Sequence, residues 1–128
     1  MAEEDIPLEI RQFVWRHIRS VEQLEILVLL WSKPNAGWSV QTVYDIVLSS
    51  KPSVEQWLEE FVRLGVFEKT TGLPPTFSYV ATGETAAQFE ALARLYKTKP
   101  VRVIETIFRR DRDPAQGFAD AFKIKNKP

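Results

Sequence analysis

The stretch Ser53-Val54-Glu55-Gln56-Trp57-Leu58-Glu59-Glu60-Phe61-Val62-Arg63-Leu64-Gly65-Val66-Phe67-Glu68-Lys69 changes its period in mid-course. Val54, Trp57, Leu58, Phe61, Val62 and Leu64 recur at the spacing of one helix face. Gly65 stands where a left-handed residue usually ends a helix. After it the pattern alternates. Residues 66–69 and 76–80 read as two strands, with Phe77 and Tyr79 on one face. Residues 70–75 join them, and Gly72 with Pro74-Pro75 marks a loop rather than a two-residue turn. The expectation is a helix followed at once by a β-hairpin. Ser53 with Gln56 reads as an S-x-x-Q capping box that opens the helix, and Lys51-Pro52-Ser53 as the turn before it.

Upstream, Ser39 is a plausible N-cap for a short helix carrying Val40, Val43, Tyr44, Val47 and Leu48, with Trp38 in a very short strand before it. Lys33-Pro34-Asn35-Ala36-Gly37 is a turn by composition. Residues 21–31 are apolar nearly all round, which predicts a central buried helix capped by Ser20 with Gln23. Before that, Pro7 opens a helix whose face is Ile6, Ile10, Phe13, Val14, His17 and Ile18. Downstream, Phe89, Leu92, Ala93, Tyr96, Val103, Ile104 and Ile107 form one stripe, interrupted by Pro100. An interior proline breaks or kinks a helix, so either two helices meeting at Lys99-Pro100 or one bent helix is expected. Asp113-Pro114 starts a last short helix, followed by a basic tail of Lys123, Lys125 and Lys127.

The expected fold class is mainly α, in an α+β arrangement: an N-terminal helix over 1–19, a three-helix-plus-hairpin module over 20–82, and added C-terminal helices over 83–128. The 128 residues suffice for one domain with a core of its own. There is no cysteine, so disulfides, thiolate catalysis and cysteine metal sites are excluded. The acidic N-terminus lacks the basic start of a secretory signal, and the longest apolar run, residues 26–31, is too short to cross a bilayer. A cytoplasmic protein without membrane contact is the expectation.

The zero net charge hides a division: residues 1–19 carry −1, residues 20–85 carry −4, and residues 86–128 carry +5. His17 is the only histidine, a poor start for a metal site. No phosphate-cradling glycine motif occurs, and Glu55, Glu59 and Glu60 sit on a face expected to be solvated rather than in a pocket. A protein without catalysis, metal or cofactor is expected. Among the four tryptophans, Trp31 and Trp57 fall on core faces, which leaves Trp15 and Trp38 as candidate contact residues.

Three helices with a hairpin directly after the third resemble a winged helix-turn-helix, and Leu64-Gly65-Val66-Phe67-Glu68 is similar to the join between recognition helix and wing in bacterial MarR- and ArsR-type regulators. The resemblance implies a transcription regulator that binds DNA as a homodimer. It implies nucleic-acid contacts by Lys51, Ser53, Gln56, Arg63, Lys69 and Thr70. The C-terminal stripe is longer than so small a module needs, and it is read as a dimer interface of Phe89, Leu92, Tyr96, Val103, Ile104 and Ile107, the alternative being that it folds back on the first helix, residues 7–18. The residues themselves keep a second reading open. The outward face of Glu55, Gln56, Glu59, Glu60 and Arg63 is net −2, and DNA affinity comes largely from neutralising phosphates. A winged-helix adapter that binds a protein rather than DNA is the alternative.

Overall fold

The computed structural model describes residues 6–109. In chain order it contains α1 (Leu8–His17), α2 (Val21–Ser32), α3 (Val40–Val47), α4 (Lys51–Arg63), β1 (Phe67–Lys69), β2 (Phe77–Tyr79), α5 (Gly83–Thr98) and α6 (Pro100–Phe108). The two strands pair antiparallel, Phe67 opposite Tyr79 and Lys69 opposite Phe77. Trp38 adds a third, one-residue rung: its backbone exchanges two hydrogen bonds with Phe77, at 2.9 and 2.7 Å.

Helix α2 is the pivot, as its composition demands. Leu24, Ile26, Leu27 and Leu30 are fully buried, and the helix packs against α3, α4, α5 and β2. Its N-cap is Ser20, whose hydroxyl accepts from the Gln23 N–H. The return arm of the expected capping box goes elsewhere. Gln23 is buried, and its Oε1 accepts from the Arg19 N–H at 2.7 Å while its Nε2 donates to the His17 carbonyl at 2.9 Å. One amide thus satisfies both the end of α1 and the entry to α2, which is the condition for burying a polar side chain at all.

The start of α4 differs from expectation. The cap is Ser50, not Ser53: the Ser50 hydroxyl accepts from the Ser53 N–H at 3.2 Å, and Lys51-Pro52-Ser53 form the first turn of the helix rather than the turn before it. Pro52 is tolerated there because the first N–H groups of a helix have no internal partner. The reversal between α3 and α4 is made by residues 48–50, with Leu48 closing α3 in the left-handed region at φ 58°. At the other end of α4, Gly65 takes φ 79°, and the Val66 N–H bonds back to the Phe61 carbonyl at 2.9 Å. The helix therefore stops at Arg63, and Leu64, Gly65 and Val66 carry the chain into β1 at Phe67.

The long stripe resolves into two helices. Helix α5 ends at Thr98, and Pro100 begins α6, where its missing N–H costs nothing. Four of the six expected interface residues lie inside this chain: Phe89, Leu92, Val103 and Ile107 are buried against the rest of the core. The stripe folds back on α1, which packs against both α5 and α6. Tyr96 is half-buried and donates to Glu25 at 3.1 Å, so Ile104 alone of the six stands half-exposed without a polar bond. Trp15 is likewise internal: its Nε1 donates to the Thr106 carbonyl at 2.9 Å and fastens α1 to α6. Trp38 is half-buried on the hairpin. The expected helix after Asp113, Arg110, Arg112 and the basic tail lie outside the described residues.

A row of rings runs through the middle of the molecule. Phe13 of α1 meets Phe89 of α5 edge-on at 4.8 Å, Phe89 meets Phe61 of α4 at 6.0 Å, Phe61 lies 4.8 Å from Phe67 of β1, and Phe67 lies 6.5 Å from Tyr79 of β2. These contacts join the outer helices to the hairpin through one continuous aromatic core, with edge-to-face geometry at several steps.

Candidate nucleic-acid interface

Helix α4 is amphipathic. Val54, Leu58 and Phe61 are buried, and Lys51, Pro52, Glu55, Gln56 and Arg63 are exposed. Its seat on α2 is fixed by one carboxylate. Glu22, in the first turn of α2, accepts from Ser53 Oγ at 2.6 Å, from Trp57 Nε1 at 3.2 Å and from the Ser49 hydroxyl. Three donors from the α3–α4 corner and two turns of α4 therefore converge on one side chain.

This accounts for Ser53, which faces inward to Glu22 rather than outward. Thr70 is also engaged by its own protein. Its Oγ1 accepts from the Thr76 N–H at 3.0 Å and shares a hydrogen bond with the Thr76 hydroxyl at 3.0 Å, which closes the base of the hairpin loop. Arg63 pairs with Glu60 one turn back, and Lys69 of β1 pairs with Glu59 across the gap between hairpin and helix. Lys69 also lies 5.7 Å over the Phe77 ring. Lys51 rests 5.8 Å over the Tyr44 ring at the start of α4, and Gln56 is exposed one turn further on.

Charge is therefore distributed unevenly along α4. The C-terminal half carries Glu59 and Glu60, each paired with a cation. The N-terminal half carries Lys51, Gln56 and a single carboxylate, Glu55, at the end where the helix dipole is positive. The glutamates occupy salt links, but the links take up Arg63 of the outer face and Lys69 of the hairpin.

Sequence reasoning missed one neighbour of this surface. Beside α4, the end of α1 and the residues leading into α2 form the opposite wall of a cleft of about 420 Å³, with Arg16, His17 and Arg19 on one side and Gln56, Trp57 and Glu60 on the other. His17 is held below the ordinary histidine range by burial first and by the neighbouring Arg16 second. Its ring packs 4.8 Å from Phe13. Among the described residues no group of His, Asp or Glu is arranged to hold a metal ion, and no helix is long and apolar enough to cross a membrane.

No protein-family model and no curated protein matches the chain. Among solved structures it is similar to a point mutant of MepR from S. aureus, a MarR-family winged-helix regulator, at 13% identity. The TM-score is 0.55, over 91% of this chain and 85% of that one. The likeness spans the added helices as well as the module between them. By its fold the chain is a winged-helix protein, built like the MarR-type regulators.

Proposed function

We propose that this chain is a non-catalytic winged-helix regulator of transcription that binds double-stranded DNA as a homodimer. The observation that carries the reading is the N-terminal half of α4. In helix-turn-helix proteins it is the start of the second helix that reaches base edges. Here that start presents Lys51 and Gln56 with the one carboxylate Glu55, and the paired Glu59 and Glu60 follow toward the C-terminus. Lys51, Gln56, Arg63 and Lys69 are the contacting side chains in this reading, while Ser53 anchors α4 on Glu22 and Thr70 closes the hairpin loop on Thr76. The test is a titration of the chain with duplex DNA at two salt concentrations. Binding that weakens steeply with salt, and roughly tenfold or more in a Lys51→Glu variant, supports the reading. Duplex affinity that ignores both salt and Lys51 overturns it.

The dimer in this reading meets on the outer side of α6. Val101 and Phe108 are 65% and 66% exposed, and with the half-exposed Ile104 they follow one another at helical spacing, turned away from the buried Val103 and Ile107. Two-fold symmetry doubles such a stripe into a self-complementary contact. A Val101→Asp/Phe108→Asp variant is expected to be monomeric in sedimentation analysis where the parent chain is dimeric.

One observation favours a second reading, an adapter that binds protein. From α4 through β2 the chain has three cations against four carboxylates, and Arg63 and Lys69 are already paired. In that case a basic protein surface is the partner, and duplex DNA is not bound at moderate salt.

A further inference from the structure

We propose that Arg16 and Arg19 form a clamp for a backbone phosphate of duplex DNA, placed beside α4 by the joint between α1 and α2; the inference rests on the DNA-binding reading above. Three observations meet at this point. First, both arginines are exposed, and neither is in an ion pair among the described residues. That sets them apart from Arg63 and Lys69. Second, they line a cleft whose far wall is Gln56, Trp57 and Glu60, the side of α4 that runs from the reading end toward its C-terminus. The Glu60 carboxylate in that wall is held by Arg63, so it does not stand as an uncompensated charge opposite the clamp.

Third, the joint is built to hold its position. The buried Gln23 grips the Arg19 N–H and the His17 carbonyl, and Ser20 caps α2 immediately after. A guanidinium carried on a fixed backbone offers its donors to a phosphate with less ordering to be done on binding. The two arginines also change the sign of the surface. With them, the outward residues of the α1–α2 joint, α4 and the wing comprise five cations and four carboxylates. The face that is too negative when α4 is considered alone becomes net positive once its neighbour is included. A phosphate lying in the cleft would sit alongside α4, which is where the backbone flanking a groove-bound helix runs.

The test uses the full chain, a labelled duplex and a salt series, on the parent, an Arg16→Gln/Arg19→Gln variant, an Arg16→Lys/Arg19→Lys variant, and Lys51→Glu. The clamp predicts about a tenfold loss of affinity in the glutamine variant, a salt slope reduced by about two, and substantial recovery with lysine. Thermal unfolding should be unchanged, because both side chains are exposed. If the parent binds and Lys51→Glu weakens it, while the glutamine variant keeps both affinity and slope, the clamp is wrong and the DNA reading survives. If the parent binds no duplex, both fall. Inorganic pyrophosphate, followed by amide shifts at His17 and Arg19, separates a free-anion site from a backbone contact. Pyrophosphate shifts in the parent, together with undiminished duplex binding in the glutamine variant, overturn the clamp in favour of a small anion.

Discussion

The ammonium of Lys69 in the hairpin rests on the carboxylate of Glu59 in α4, so hairpin and helix are tied together by a pair in which each charge cancels the other. Glu60 and Arg63 form a second such pair, within α4. Exposed pairs of this kind contribute between nothing and about 1 kcal/mol to stability. Their larger effect is on the potential outside the protein. A Glu59→Gln/Glu60→Gln variant releases both cations, and its duplex affinity is expected to rise on the order of threefold to tenfold, with a steeper salt dependence. Anisotropy titration of variant and parent side by side measures this. Unchanged or weaker binding would show that the face does not approach phosphate.

Glu22 carries more of the architecture than its half-buried position suggests. Ser49, Ser53 and Trp57 all donate to it. Glu22→Ala leaves three donors without their acceptor, and hydrogen bonds to a charged group are worth roughly 1.5–3 kcal/mol. A loss of about 2–3 kcal/mol is expected in urea unfolding, together with weaker duplex binding, since the corner and α4 lose their common anchor.

His17 gives the fold a pH dependence of definite sign. Burial, then Arg16, lowers its folded pKa below the ordinary value of 6.5. The neutral ring is therefore favoured in the folded state. Above the unfolded value His17 has no effect on stability. As pH falls through 6.5 toward the folded value, the unfolded chain takes up the proton first and stability is lost. Urea midpoints recorded between pH 7.5 and 5.5 should fall, and His17→Gln should flatten the curve over that window.

Tyr79 is a site for stabilisation. Its hydroxyl is buried with no hydrogen-bond partner among the described residues, and burial followed by the nearby Glu90 raises its pKa. A buried hydroxyl without a partner is a net liability. Tyr79→Phe keeps the ring contact with Phe67 and is expected to raise stability by up to about 1 kcal/mol. A lower thermal midpoint would mean that the hydroxyl has a partner in solution.

The elements that local chemistry decides were legible in the sequence. The apolar run of α2, the Ser39 cap, Gly65 with its positive φ and the alternation around Phe77 and Tyr79 each appear where the pattern puts them. The start of α4 was not legible. Ser50 and Ser53 are both three residues ahead of a usable N–H, and the choice between them is made from across the fold, where Glu22 recruits the Ser53 hydroxyl. The outer stripe was obscured for a different reason. Helix α6 is apolar on two sides, with Val103 and Ile107 inward and Val101 and Phe108 outward, and periodicity cannot tell which side the chain itself will cover. Of the candidate contacts, Arg63 and Lys69 were found but their partners were not. The Glu60 pair lies within reach of an i,i+3 rule, whereas the Glu59 pair depends on how the hairpin swings. Arg16 and Arg19 sit in a segment of net −1, and only the fold brings them next to α4.

The chain of aromatic contacts from Phe13 to Tyr79 sets a limit on how such a protein diversifies. Inward positions on α4 are shared property of the whole molecule, because Phe61 touches both the wing and the outer helices. Outward positions on the same helix belong to no neighbour in the core. Change is thus free to accumulate at one side of a single helix while the opposite side stays frozen, and a transplanted outer surface will take hold only as a set of outward substitutions, not as an exchanged segment.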